Sequence, residues 1–102
     1  MELKIRLTGC LAYEDKDSGQ PKTRLGYILA DPSMKQDTKN FKGYADLGVY
    51  YDSHDNFNKI PADFYGEVVT ASVEDKPNPK NPLKMTRVIK SIKLGNNVID
   101  LV

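Results

Sequence analysis

The sequence predicts an all-β domain: five or six strands forming a small Greek-key barrel, with a short helical plug between the third and fourth strands. Two observations carry this. Apolar and polar residues alternate over several stretches, which is the period of half-buried strands. Gly, Pro, Asn and Asp gather between those stretches, where the chain must turn. The pattern breaks between Asp52 and Tyr65, and the plug is placed there.

Residues 3 to 13 form the first strand. Leu3, Ile5, Leu7, Leu11 and Tyr13 are expected on one face, and Lys4, Arg6, Thr8, Cys10 and Ala12 on the other. Gly9 sits in the middle, where a glycine marks a bulge or sharp coil. The polar run from Glu14 to Lys22 is a hairpin loop. Thr23 to Ala30 is the second strand, with Leu25, Tyr27 and Leu29 inward, ended by Asp31-Pro32. After a polar loop from Asp31 to Asn40, Phe41 to Tyr51 is the third strand. Its odd positions (Phe41, Ala45, Leu47, Val49, Tyr51) are expected to be buried.

Ser53-His54-Asp55-Asn56 is turn chemistry. Pro61 suits the first position of a helical turn and Gly66 its stop, with Phe57, Ile60 and Phe64 plugging the core. Gly66 to Val73 is the fourth strand. Residues 75 to 82 carry Pro77, Pro79 and Pro82, and proline cannot donate to a ladder, so a stiff exposed loop is expected. Lys84 to Leu94 is the fifth strand, Gly95 to Asn97 a turn, and Val98 to Val102 a short sixth strand. This order is that of a five-stranded OB barrel. A small SH3-like barrel or an open sandwich gives a similar pattern.

The 102 residues make one domain with one modest core. At 39% hydrophobic and 28% charged, the chain is neither disordered nor a membrane protein in composition. Leu7-Thr8-Gly9-Cys10 is similar to a lipoprotein cleavage site. The residues before it alternate charged and apolar instead of forming an apolar run, so export is not expected. A lone cysteine fits a reducing compartment, and the cytoplasm is the expected location.

Net charge is only +1, which argues against coating of duplex DNA by bulk charge. Its distribution is uneven. From Tyr44 to Asp75 there are seven acids (Asp46, Asp52, Asp55, Asp63, Glu67, Glu74, Asp75) and one base, Lys59. From Lys76 to Leu94 there are six bases and no acid. Such asymmetry points to an anionic partner for one surface.

Catalysis is not expected. There is one histidine, His54, and one cysteine, Cys10. No nucleophile elbow, phosphate-binding glycine loop or zinc-type cysteine spacing occurs. Asp52, His54 and Asp55 read as a capped polar turn, and neither a metal nor a cofactor is implied.

Single strands are held by basic side chains along the phosphates and aromatic faces against the bases. Lys42, Tyr44 and Tyr50 share parity on the third strand and are expected on one outer face. Arg24 on the second strand lies near them. Lys84, Arg87 and Lys90 on the fifth strand, with Lys80 in the proline loop, extend the track. In an OB barrel, strands two and three and the loops at 14–22 and 75–83 form the binding face.

With Lys42-Gly43-Tyr44, Val49-Tyr50-Tyr51 and the basic last third, the chain resembles the small single-stranded DNA-binding OB proteins of phages and plasmids. The resemblance implies a homodimer that binds single-stranded DNA cooperatively and without sequence preference; RNA is a second candidate ligand. The near-neutral charge and the acids between Asp46 and Asp75 depart from that pattern. They fit a different class, a small inhibitor or adaptor whose carboxylates occupy the nucleic-acid channel of a protein partner. A third class is an assembly component whose tyrosines make a homomeric contact.

Overall fold

The structure, a computed structural model, describes residues 1–78 and 81–102. It is built on one six-stranded antiparallel sheet and a small two-stranded one. The strands are β1 (Glu2–Glu14), β2 (Pro21–Leu29), β3 (Gln36–Asp37), β4 (Lys42–Gly43), β5 (Leu47–Tyr51), β6 (Val68–Asn78), β7 (Asn81–Leu94) and β8 (Asn97–Asp100). A 3-10 turn η1 (Pro32–Met34) follows β2. A five-residue helix α1 (Asp55–Lys59) and a second 3-10 turn η2 (Ala62–Phe64) separate β5 from β6. The large sheet runs β5-β2-β1-β6-β7-β8, and β3 pairs with β4.

β1 follows its alternation only as far as Leu7. Ile5 and Leu7 are fully buried. The register with β2 shifts between Leu7 and Gly9. One extra residue in a strand exchanges its two faces beyond that point. Leu11, expected inside, is therefore 60% exposed, and Cys10 turns towards the core.

The expected third strand is two strands. β4 ends at Gly43, whose φ of +116° suits glycine, and residues 44–46 join no ladder. Phe41 is exposed, whereas Val49 and Tyr51 are buried as expected.

The plug forms with one substitution of role. Ile60 and Phe64 are buried, but Phe57 is exposed. The helix starts at Asp55, six residues before Pro61, so its inward positions are Asn56 and Ile60, four apart on one face. Asn56 is fully buried. Its side chain accepts a bond from the Val102 N–H at 3.0 Å and donates to the Val102 carbonyl at 3.3 Å, so the buried amide is satisfied. Pro61 caps η2 rather than opening it.

The expected proline loop is largely strand. Asp75 to Asn78 continue β6 and pair with β7, Pro77 opposite Met85. Beyond Ser72 the ladder to β1 has ended, so among the described residues this part of β6 pairs on one side only. Proline is tolerated on such an edge because one side of the strand needs no donor. Pro79 and Lys80 lie outside the described residues.

Tyr51 ties the two margins of the five longest strands together. Its hydroxyl donates to the Ile89 carbonyl on β7 at 2.7 Å. Burial pushes its pKa above the ordinary 10.0, and burial does the same for Tyr65, beside Cys10. In the unfolded chain both phenols ionise as the pH passes about 10, while the folded chain keeps its protons. Stability is therefore full below that pH and falls above it. Urea titrations between about pH 8 and 11 should show the loss, and Tyr51→Phe should flatten the dependence.

Candidate nucleic-acid interface

The bulge at Gly9 builds the most distinctive surface. Antiparallel partners point to the same face. Beyond the bulge, Leu11 pairs with Arg24, and Arg24 with Tyr50. An apolar side chain, a guanidinium and a ring thus form one row across β1, β2 and β5. Leu11 and Tyr50 are 60% and 63% exposed. The next row is Gly9, Gly26 and Gly48, and the row on the other side opens with Tyr13 opposite Lys22.

The glycine row gives Arg24 a floor. A β-carbon at Gly48 would lie 2.6 Å from Arg24 Nε, and one at Gly26 would lie 3.2 Å from its Nη1. The guanidinium therefore lies down on the sheet beside the exposed Tyr50 ring. Planar guanidinium and aromatic faces are the two protein groups on which bases stack. Arg24 takes part in none of the ion pairs among the described residues. Lys22, on the same face, is held by Asp52 at 2.6 Å, which raises its pKa.

The other predicted residues do not join this face. Tyr44 is half-buried and lines a cavity of about 150 Å³ with Leu29, Met34 and Leu47, whereas Tyr50 lines another with Asp52, Asp55 and Val102. Shared parity failed as a guide because residues 44–46 leave the strand between them. Lys42 is exposed on the β3–β4 hairpin, opposite Asp37. Lys84 is exposed on the β6–β7 ribbon, and Lys80 lies outside the described residues.

Arg87 pairs with Asp75 at 3.4 Å and Lys90 with Glu74 at 3.7 Å. The end of the acidic stretch and the basic last third therefore lie on neighbouring strands, and part of each charge run compensates the other. Such exposed pairs contribute little stability, about 0 to 1 kcal/mol each, but they lower the net field that a distant phosphate meets. With Asp52 held by Lys22, three of the seven acids in the acidic stretch have a basic partner.

Lys90 retains a structural link to the Tyr50 side. The Leu101 N–H donates to its carbonyl at 2.8 Å, and Val102, the next residue, lines the Tyr50 cavity.

Leu11, Tyr13 and Lys22 were missed as face residues. The signal was present, since the mid-strand glycine that announces a bulge also announces the exchange of faces after it. His54 Nε2 hydrogen-bonds the Tyr13 carbonyl at 2.9 Å and so fastens the turn before α1 to β1. Burial raises the Cys10 pKa, partly offset by a hydrogen bond to Tyr65. Among the described residues no cluster of three or more His, Cys, Asp or Glu side chains is placed to hold a metal ion. No helix among them is long and apolar enough to cross a membrane. Comparison with protein-family models, curated proteins and solved structures returns no match.

Proposed function

We propose that this chain binds single-stranded nucleic acid, without catalysing a reaction, on the outer face of β1, β2 and β5. The observation that carries this is the Leu11–Arg24–Tyr50 row beside the Gly9–Gly26–Gly48 floor. Bases stack on Tyr50 and on the flat Arg24 guanidinium, and Leu11 extends the apolar contact. Gly26 and Gly48 let the Arg24 guanidinium lie flat against the sheet as a stacking surface. Arg24 supplies a phosphate partner, and Lys22 a second where phosphate displaces Asp52.

The fold supports the same reading. The order β5-β2-β1-β6-β7 puts the third and fifth long strands at the two margins, bridged by Tyr51 and Ile89. We read this as an OB-like barrel with an open seam and with β8 added. OB folds bind oligonucleotides on the face of strands two and three, here β2 and β5. The setting that fits is the cytoplasm, with phage or plasmid single strands as ligand.

Titration of labelled oligo-dT at several salt concentrations tests this. Log affinity should fall with log salt by about 0.7 per phosphate neutralised. Arg24 alone gives about −0.7, and Lys22 brings the slope to about −1.4. A slope near −3.5 would instead require the extended track of five cations. A flat response, or no binding together with capture of a single protein partner, overturns the proposal in favour of the inhibitor class.

A further inference from the structure

We propose that the sheet face holding Arg24 and Tyr50 continues across the Gly9 bulge to a second contact, the Lys4–Thr70–Lys93 row, which grips the phosphodiester backbone of the same single strand. This rests on the single-strand reading above. Strand pairing arranges the face in rows. After the Leu11–Arg24–Tyr50 row and the glycine row comes Arg6 with Ile28 and Val68. The next row is Lys4, Thr70, Lys93 and Val98, across β1, β6, β7 and β8. Its neighbours along the strands, Ile5, Val69, Ala71 and Ile92, are buried, so the row itself points outward.

The bulge does not interrupt this face. The extra residue lies in β1, so Arg24, Gly26 and Ile28 stay on one side of β2. A β-carbon on Gly26 would meet Thr8 Oγ1 at 2.7 Å and Arg24 Nη1 at 3.2 Å. A side chain from before the bulge and one from the strand beside it therefore share the surface. The Arg24 row and the Lys4 row are three rows apart, about 20 Å at about 3.3 Å per residue. From Tyr50 on β5 to Lys93 on β7 there are also four strand spacings of about 4.8 Å, so the diagonal is roughly 28 Å.

Charge marks the path. The paired positions of these four rows carry Arg24, Arg6, Lys4 and Lys93 and no acid. None of the four cations is in an ion pair among the described residues. Arg6 is held by the Gly66 carbonyl at 2.5 Å, so Lys4 and Lys93 are the added phosphate partners. They flank Thr70 in a groove of about 530 Å³, with Leu3, Val68 and Gly95 also on its walls. Lys4 donates to Thr70 Oγ1 at 2.6 Å. A hydroxyl that accepts from an ammonium keeps its own hydrogen to donate. The row thus offers a hydroxyl donor between two ammonium groups, which suits the acceptor-only oxygens of a phosphodiester.

Acids close the path at both ends. Glu2, also on the groove wall, opens the next row, Glu2–Ser72–Ser91–Asp100. Asp52 stands beside Lys22 at the opposite end. The Lys4 row holds no aromatic ring, so bases stack at the Tyr50 end and the row takes phosphates alone. One single strand satisfies both ends, whereas an acidic peptide satisfies only the row.

Titration of the full chain with labelled oligo-dT of about 4 and about 16 nucleotides, the two ends of one OB domain's site size, provides the test. The short ligand occupies the Tyr50 end. Raising the salt from about 50 to about 200 mM should weaken it about 3- to 7-fold, for one or two phosphates. The long ligand adds Lys4 and Lys93, and the same change should weaken it about 18- to 50-fold. Lys4→Gln and Lys93→Gln should each lower the long-ligand slope by about 0.7. Both should leave the short ligand and thermal melts unchanged, since the side chains are exposed. Equal slopes for the two lengths overturn the proposal and leave the β1–β2–β5 face standing. So does a steepening that survives both variants and is lost in Lys84→Gln, which would place the second contact on the β6–β7 ribbon. If Lys4→Gln and Lys93→Gln lower the slope while Tyr50→Ala and Arg24→Ala have no effect, the phosphate row stands and the stacking face falls. Binding of poly-glutamate and of neither oligonucleotide overturns both readings and assigns the row to an acidic protein.

Discussion

Phe64→Ala should lower the stability of the fold by about 3 to 5 kcal/mol, the usual cost of emptying a fully buried aromatic site. The side chain is completely buried at the end of η2 and packs in the one continuous core with Ile5, Leu7 and Leu25. Two short turns hold it there. The Phe64 N–H bonds the Pro61 carbonyl, and Gly66, at a φ of +87°, sends its N–H to the Leu7 carbonyl at 2.7 Å. The backbone around Phe64 is thus tied to β1, so it cannot readily collapse into the cavity that alanine would leave, and the upper part of the range is expected. A domain of this size is held by about 5 to 15 kcal/mol in all, so the variant should be near its unfolding limit at moderate temperature. Urea unfolding followed by circular dichroism reads the effect. A loss below about 1 kcal/mol would mean that the α1–η2 segment lies on the sheet without plugging the core.

The strands were legible wherever burial follows a strict period of two. Ile5, Leu7, Leu25, Tyr27, Val49 and Tyr51 were all placed correctly by alternation, because each lies in a run with no extra residue. Errors began where the count changed. Gly9 was recognised as a bulge site, but the inversion it imposes on Leu11 and Tyr13 is a property of the pairing with β2, not of β1 alone. Tyr44 and Tyr50 were joined by parity across residues 44–46, where there is no strand to carry it. Pro77 stopped a strand on paper because an isolated sequence does not say which edge of β6 is unpaired. The charge runs misled in the same way. Two segments of opposite sign that are separate in sequence become neighbours once β6 and β7 form a hairpin, and what looked like one basic surface is partly matched by its partner strand. Long-range pairing, not local preference, held the missing information in each case.

Tyr50→Ala should weaken oligo-dT binding by about 1 to 3 kcal/mol, roughly 5- to 150-fold, the worth of one base stacked on an aromatic face. Tyr44→Ala should leave the affinity unchanged, because that ring lines a different cavity. The pair of variants therefore separates the compact face from the continuous third-strand platform. Gly48→Ala sharpens the comparison without removing any contacting side chain. The added methyl would lie 2.6 to 2.7 Å from Arg24 Nε, Cζ and Nη2, so the guanidinium must lift off the sheet. If the flat guanidinium is a stacking surface, this one methyl should cost a sizeable part of what Arg24→Ala costs, while the salt slope stays near that of the parent because the charge remains. If Arg24 serves only as a cation, Gly48→Ala should leave affinity almost intact and Arg24→Lys should rescue Arg24→Ala. Equal losses for Tyr44→Ala and Tyr50→Ala, at matched folded fraction, would return the site to the third-strand platform and remove the glycine floor from the mechanism.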